Sequence, residues 1–212
     1  MLRLQKAGIT FYLLGIIVLT LGVSLAIQST LGTGPVDSVK VGLYRTFGFS
    51  IGTWEIVFGL SLILGNALVA RQRPEFFALI TSFITGLCID SWLFLLNTIG
   101  PPEVLLSKWL YLTCSLVVAG IGVALYLQSN IAPNPVDRTM MVIANLTGLN
   151  VTYSRAILSI FLVIIAFFFN GDIGIGTLLN AIFVGVVINF CFPYAEALRK
   201  RQLAKFEQKA ST

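Results

Sequence analysis

The chain has 212 residues, of which 57% are hydrophobic and 11% charged, with a mean hydropathy of +0.91 and a formal net charge of +5. A soluble domain of this length has too little interior to hide that much apolar surface, so the composition is that of a membrane protein. The absence of histidine excludes Ser-His-Asp triads and histidine-based zinc sites, and the basic excess flanks apolar runs, which requires no nucleic-acid partner.

The first apolar run, at 8–29, follows Arg3 and Lys6 but is too long for a secretory leader and lacks a small-residue cleavage site, so it reads as a retained spanning helix. Further runs of spanning length lie at 51–70, 76–97, 109–129, 151–169 and 174–195. Six spans are expected in an all-α polytopic fold. Between the first and second, and again between the fourth and fifth, lie short segments of mixed polarity at 35–47 and 135–147. A helix of that length rises only about 20 Å, against a hydrocarbon core of about 30 Å.

These segments belong to an internal repeat. Residues 22–48 (GVSLAIQSTLGTGPVDSVKVGLYRTFG) and 122–148 (GVALYLQSNIAPNPVDRTMMVIANLTG) align without a gap, and nine of the 27 positions are identical. The matches include Gln28 with Gln128, Pro35 with Pro135 and Asp37 with Asp137. Residues 1–100 therefore form one repeat, 101–198 a second, and 199–212 a basic tail. If the PVD segments re-enter, each repeat crosses three times and the halves are inverted; if they span, the halves are parallel. The inverted arrangement places Arg3, Lys6, Arg71, Arg73, Arg199, Lys200, Arg201, Lys205 and Lys209 on the cytoplasmic side and only Lys108 outside, which the positive-inside rule favours. Both termini are then cytoplasmic.

Ionisable groups in such segments are functional candidates because they are expensive there. Gly34 and Asn134 stand at N-cap positions, Pro35 and Pro135 at the first helical position, and Asp37 and Asp137 at the third. Two readings remain open. Each Asp caps its helix by accepting backbone N–H groups, or two half-helix N-termini with unwound GTG and APN backbones line a pathway. A first-turn carboxylate offsets the positive helix end, so the first copy suits a cation or polar solute better than an anion. The second copy adds Arg138 where the first has Ser38. Glu55 and Arg155 occupy equivalent positions one turn into the next spans, in a gating or an interfacial role.

The last helix of each repeat carries small or polar residues at every fourth position, Ala78, Ser82, Gly86 and Asp90 in one and Thr177, Ala181, Gly185 and Asn189 in the other. Those faces are expected against other helices. Asp90, deep in a span, is the expected coupling residue if transport is driven by protons. Gln28 and Gln128, at the ends of equivalent helices, bond either the re-entrant backbone or a solute. Cys88, Cys114 and Cys191 lie in apolar runs without CxxC spacing and read as small buried hydrophobes. NGDIGIG at 170–176 reads as a tight turn, and no phosphate-cradling loop is present. No cofactor, metal or enzymatic activity is expected.

The motif G-x-GPVD followed by GL, FG-x-S-x-G at 47–52, and GIGT at 174–177 before a helix with GxxxN resembles the YczE/YitT-like family of bacterial integral membrane proteins. The resemblance covers nearly the whole membrane region and implies a multi-pass bacterial inner-membrane protein, with no catalytic residues carried over. PEFF at 74–77 and APNPVD at 132–137 depart from the family pattern. The reading is a small transporter or exporter of an unidentified small solute, proton- or cation-coupled, with its pathway between the repeats. Its partners are the lipid bilayer and that solute, and because six helices make a thin wall, a homodimer is a candidate assembly. A non-transporting membrane scaffold and a passive channel are the alternatives.

Overall fold

The structure is a computed structural model that describes the backbone of residues 2–129, 131 and 134–208. Ala132 and Pro133 of the APN segment and Lys209 lie outside the described residues, as do the side chains of Arg3, Lys6 and Lys205. Among the described residues eight helices follow one another: α1 (Leu2–Ser29), α2 (Pro35–Phe47), α3 (Ile51–Ala70), α4 (Phe77–Ile99), α5 (Leu105–Leu127), α6 (Pro135–Thr147), α7 (Val151–Phe168) and α8 (Ile175–Gln208). Among the described residues there is no strand. All but α2 and α6 are long and apolar enough to cross a membrane, which makes six candidate spans. The molecule is an all-helical, multi-pass membrane protein. Helix α8 runs without a break through the basic segment that begins at Arg199.

Local chemistry sets the helix starts. α3 begins at Ser50, whose Oγ accepts the Thr53 N–H at 3.0 Å, and α7 begins at its counterpart Asn150, whose Oδ1 accepts the Tyr153 N–H at 3.0 Å. α2 and α6 each open with Pro at the first position, where no intrahelical donor is needed. The outward faces are apolar: Phe94, Phe167 and Phe77 are each at least 75% exposed, as suits helices that cross a membrane.

The most extensive helix pairing is α1 with α5. A Cβ on Gly22 would fall on the Ala119 backbone, and one on Gly122 on the Leu19 backbone. Gly22 and Gly122, like Leu19 and Ala119, are counterparts at the repeat offset of one hundred, so the same contact is made twice in opposite sense. With Gly15 against Tyr126, these contacts make the two helices antiparallel. Small residues allow this approach, as between helices in lipid generally.

Side-chain bonds give the other directions. Tyr12 to Thr81, Ser24 to the Ile89 carbonyl and Gln28 to Asn97 ascend together, so α1 and α4 are parallel. Gly52 against Gly86 and Gly59 against Ser82 make α3 antiparallel to α4. Gly120 against Val187 and Gly176 against Leu112 make α5 and α8 parallel. The α7–α8 loop sits where α1 ends: the Gly176 N–H donates to the Leu31 carbonyl and the Thr33 N–H to the Asp172 carbonyl. Gly32 has φ +107° and lies against the Gly174 backbone, a position closed to any other residue on both counts.

Candidate functional site

A cavity of about 820 Å3 lies at the centre of the bundle, within the range of about 300–1,000 Å3 typical of small-molecule sites. Every helix contributes to its wall. Leu19 and Val23 come from α1, Asp37 and Lys40 from α2, Glu55 and Phe58 from α3, and Ser82 and Thr85 from α4. The second half adds Val123 and Tyr126 from α5, Asn134 and Asp137 at the start of α6, Arg155 from α7, and Gly185 and Asn189 from α8. Both first-turn aspartates and both members of the Glu55/Arg155 pair thus face one space. The arrangement can hold a small molecule against apolar walls that carry a few charged groups.

Lys40 organises the charge on one side. Its Nζ lies 2.6 Å from Asp37 Oδ1 and 2.5 Å from Glu55 Oε2, and the residue is 3% exposed. The spacing of Asp37 and Lys40, three residues apart on α2, puts them on one helix face, and α3 brings Glu55 to meet them. Of the two readings of Asp37, capping is not what is seen: no side chain caps α2, and a carboxylate oxygen of Asp37 goes to an ammonium one turn along. A buried ammonium held by two carboxylates resists loss of either partner, because a charge left unpaired there is costly. On the other side the counterpart of Lys40 is Met140, and burial pushes the Asp137 carboxyl up, with the Arg155 charge opposing it. Asn134 caps α6 by accepting the Val136 N–H at 3.0 Å.

Other expected residues are placed elsewhere. Asp90 does not line the cavity. Its carboxylate accepts from Ser50 Oγ at 2.6 Å and from the Gly52 N–H at 2.8 Å, because the start of α3 presents donors that need an acceptor. Gln28 bonds neither the short-helix backbone nor the cavity; its Nε2 donates to Asn97 Oδ1 on α4 at 2.7 Å. Gln128 is 5% exposed, and its Nε2 has no partner among the described residues. Arg138 pairs with Glu75 at 2.8 Å and donates to Gln72 at 3.2 Å, both in the α3–α4 loop. Arg45 of α2 likewise reaches Asp172 and the Asn170 carbonyl in the α7–α8 loop. Each short helix is thus tied by an arginine to a loop of the opposite half. Cys114 is exposed, not buried as expected.

The two halves close unequally. At the start of α3, Gly52 and Gly86 approach so closely that a Cβ on either would strike the other's carbonyl oxygen. At the equivalent place in the second half, α7 and α8 do not pack on one another among the described residues, and a Cβ on Gly185 would meet nothing within 4 Å. Val151 and Arg155 of α7 and Gly185 and Asn189 of α8 line the cavity there. The small-residue face of α4 is covered by α3, whereas on α8 Thr177 is buried and Gly185 and Asn189 border the cavity.

The sequence alone did not assign Lys40, Thr85, Phe58 or Tyr126 to the site. A lysine three residues after Asp37 on a short helix of mixed polarity was the available signal. Nothing in the local sequence marks Phe58 or Tyr126, which join the site only through packing.

A family profile described as "Family of unknown function (DUF6198)" matches residues 6–193. The chain is 39% identical over 186 residues to the uncharacterized protein YyaS of Bacillus subtilis (strain 168), covering 88% of this chain and 92% of that protein. It is 31% identical over 197 residues to the uncharacterized membrane protein YczE of the same organism, covering 92% and 90%. A protein of Haemophilus influenzae is 26% identical over 188 residues, covering 88% and 84%. No solved structure matches the chain. With the family profile spanning almost all of the membrane region and YczE aligned over nearly its full length, the chain belongs to the YczE-like, DUF6198 family of membrane proteins.

Proposed function

We propose that this protein is a secondary transporter or exporter of a small solute in the bacterial inner membrane, whose pathway is the central cavity between two inverted halves. The observation that carries the reading is the unequal closure of equivalent ends: α3 and α4 are sealed at Gly52 and Gly86, while α7 and α8 stand apart at Gly185. Pseudo-symmetric transporters work by exchanging such arrangements around a fixed central site. The reciprocal Gly22 and Gly122 contacts support inversion of the halves, and so do the antiparallel directions of α1 and α5. The flanks of α2 support re-entry, since Thr33 before it and Thr46 near its end both bond the α7–α8 loop.

With the basic α3–α4 loop in the cytoplasm, the sealed end is external and the open end cytoplasmic. The seal is the clasp of Asp90 on Ser50 and Gly52. In the alternate state, Asn189 closes on Asn150 and Thr152, the counterparts of Ser50 and Gly52, and the Asp90 clasp releases. The arginine ties of α2 and α6 then hold each short helix to the opposite half as the ends exchange. Proton coupling is assigned to the cavity carboxylates Asp37, Glu55 and Asp137 in place of Asp90, since they face the path.

Spin-label distances test this in reconstituted protein. Labels at Thr53 and Ser91 report the sealed end, and labels at Tyr153 and Phe190 the open one; all four positions are exposed. The expected result is two populations in which the short and long distances are exchanged between the ends. One fixed distance at each end would leave a scaffold, and both ends long together would mark a channel.

A further inference from the structure

Beyond a transport role, and resting on that reading for the site's use, we infer that the central cavity binds an organic monocation with an apolar body. The cavity wall carries three carboxylates, Asp37, Glu55 and Asp137, against two cations, Lys40 and Arg155. One negative charge is therefore left over, and it lies on the first-half side, where Lys40 is shared between Asp37 and Glu55. On that side the start of α2 contributes at most about half a positive charge, too little to offset it. The carbonyl end of α5, at Leu127 and Ser129 on the same wall, acts in the opposite sense. The balance stays negative in a space where an uncompensated charge is costly.

A second observation points to a ligand in the same space. Ser82 is 1% exposed and lines the cavity, and its hydroxyl has no hydrogen-bond partner among the described residues. A buried hydroxyl of this kind is normally satisfied, so an incoming donor completes it. Lys40 engages one oxygen of Asp37 and one of Glu55. An ammonium donating to the remaining carboxylate oxygens and to Ser82 answers both the leftover charge and the unpaired hydroxyl. Its apolar body lies against Leu19, Val23, Phe58, Val123 and Ile188. On this side an anion gains nothing, because Lys40 is already occupied twice.

The test uses the full chain in detergent micelles and three probes that share one body: phenylbutylamine, which is cationic at neutral pH, neutral phenylbutanol and anionic phenylbutanoate. Saturable binding is measured by equilibrium dialysis against protein-free micelles. The amine is expected to bind at least about tenfold more tightly than the alcohol, and the carboxylate more weakly than the alcohol. Asp37→Asn and Glu55→Gln each remove most of the amine's advantage. Lys40→Met increases it, and Asp37→Asn combined with Lys40→Met returns it toward that of the unaltered protein; monodispersity on gel filtration checks that each variant folds. Equal binding of amine and carboxylate, no saturable amine binding by folded protein, or an unchanged preference in both folded single-carboxylate variants overturns the inference. Proteoliposome uptake separates the two claims: an amine that binds but is not carried leaves the cation site standing and removes the transport role.

Discussion

The backbone N–H of Gly52 donates to Oδ1 of Asp90 at 2.8 Å, joining the first turn of α3 to the middle of α4. Ser50 Oγ donates to the other carboxylate oxygen at 2.6 Å, so one side chain satisfies two donors at a helix start. Asp90→Ala is expected to lower stability by about 1–3 kcal/mol, because charged acceptors of this kind are costly to remove. Asp90→Asn keeps an acceptor for Gly52 and costs less. Thermal unfolding in detergent checks both, with Asn189→Ala, on the open side of the bundle, as the near-neutral control.

The glycines at the two ends give a paired prediction. In Gly52→Ala the new methyl group meets the Gly86 carbonyl and the Asp90 carboxylate, and overpacking of this kind costs about 1–3 kcal/mol. Gly185→Ala meets nothing within 4 Å and should change stability by less than about 0.5 kcal/mol. If the ends exchange, Gly185→Ala nevertheless slows transport, since its methyl group obstructs closure of α8 on α7. The same purified samples supply the melting temperatures and the uptake rates.

Lys40 sits between two carboxylates at 3% exposure. Lys40→Met copies the residue of the second repeat but strands both acids, and is expected to cost about 3–5 kcal/mol. Combining it with Glu55→Gln removes one of the stranded charges and recovers part of the loss. A double-variant cycle followed by thermal unfolding measures the coupling; strict additivity of the two changes would argue against the shared ion pair.

Orientation is checked by two-sided labelling of single cysteines at positions 72 and 103, in a background lacking Cys88, Cys114 and Cys191. An impermeant reagent is expected to reach position 103 from outside and position 72 only from the cytoplasm. The reverse pattern would mean that α2 and α6 cross the bilayer.

Much of the architecture was legible in order along the chain. The short helices were expected at 35–47 and 135–147 and occur as Pro35–Phe47 and Pro135–Thr147, because Pro at the first turn and Gly after the last are local signals. The second span, expected at 51–70, is Ile51–Ala70: Ser50 caps its start, and Arg71 ends it in a left-handed conformation. Helix α8 overran its expected end, since nothing in the sequence after Pro193 breaks a helix and the charged residues there are good helix formers. Asp37, Asp137, Glu55, Arg155, Asn134 and Asn189 were singled out as unusual charged or polar groups, and all six line one cavity.

What the sequence by itself determined is the set of local and compositional features: a membrane protein of six apolar spans and two short helices that each open with proline, in segments that share nine of 27 residues. These follow from hydropathy, helix start signals and identity between distant segments, none of which needs a neighbour in space. Only the tertiary structure decided what each charged group does. Asp37 and Asp90 are both helical carboxylates in a membrane protein, yet one pairs with a buried ammonium beside the cavity and the other clasps the start of α3. The difference lies in which helix packs alongside. That is set by the backbone approach of small residues such as Gly52 and Gly86, a relation between segments distant in the chain.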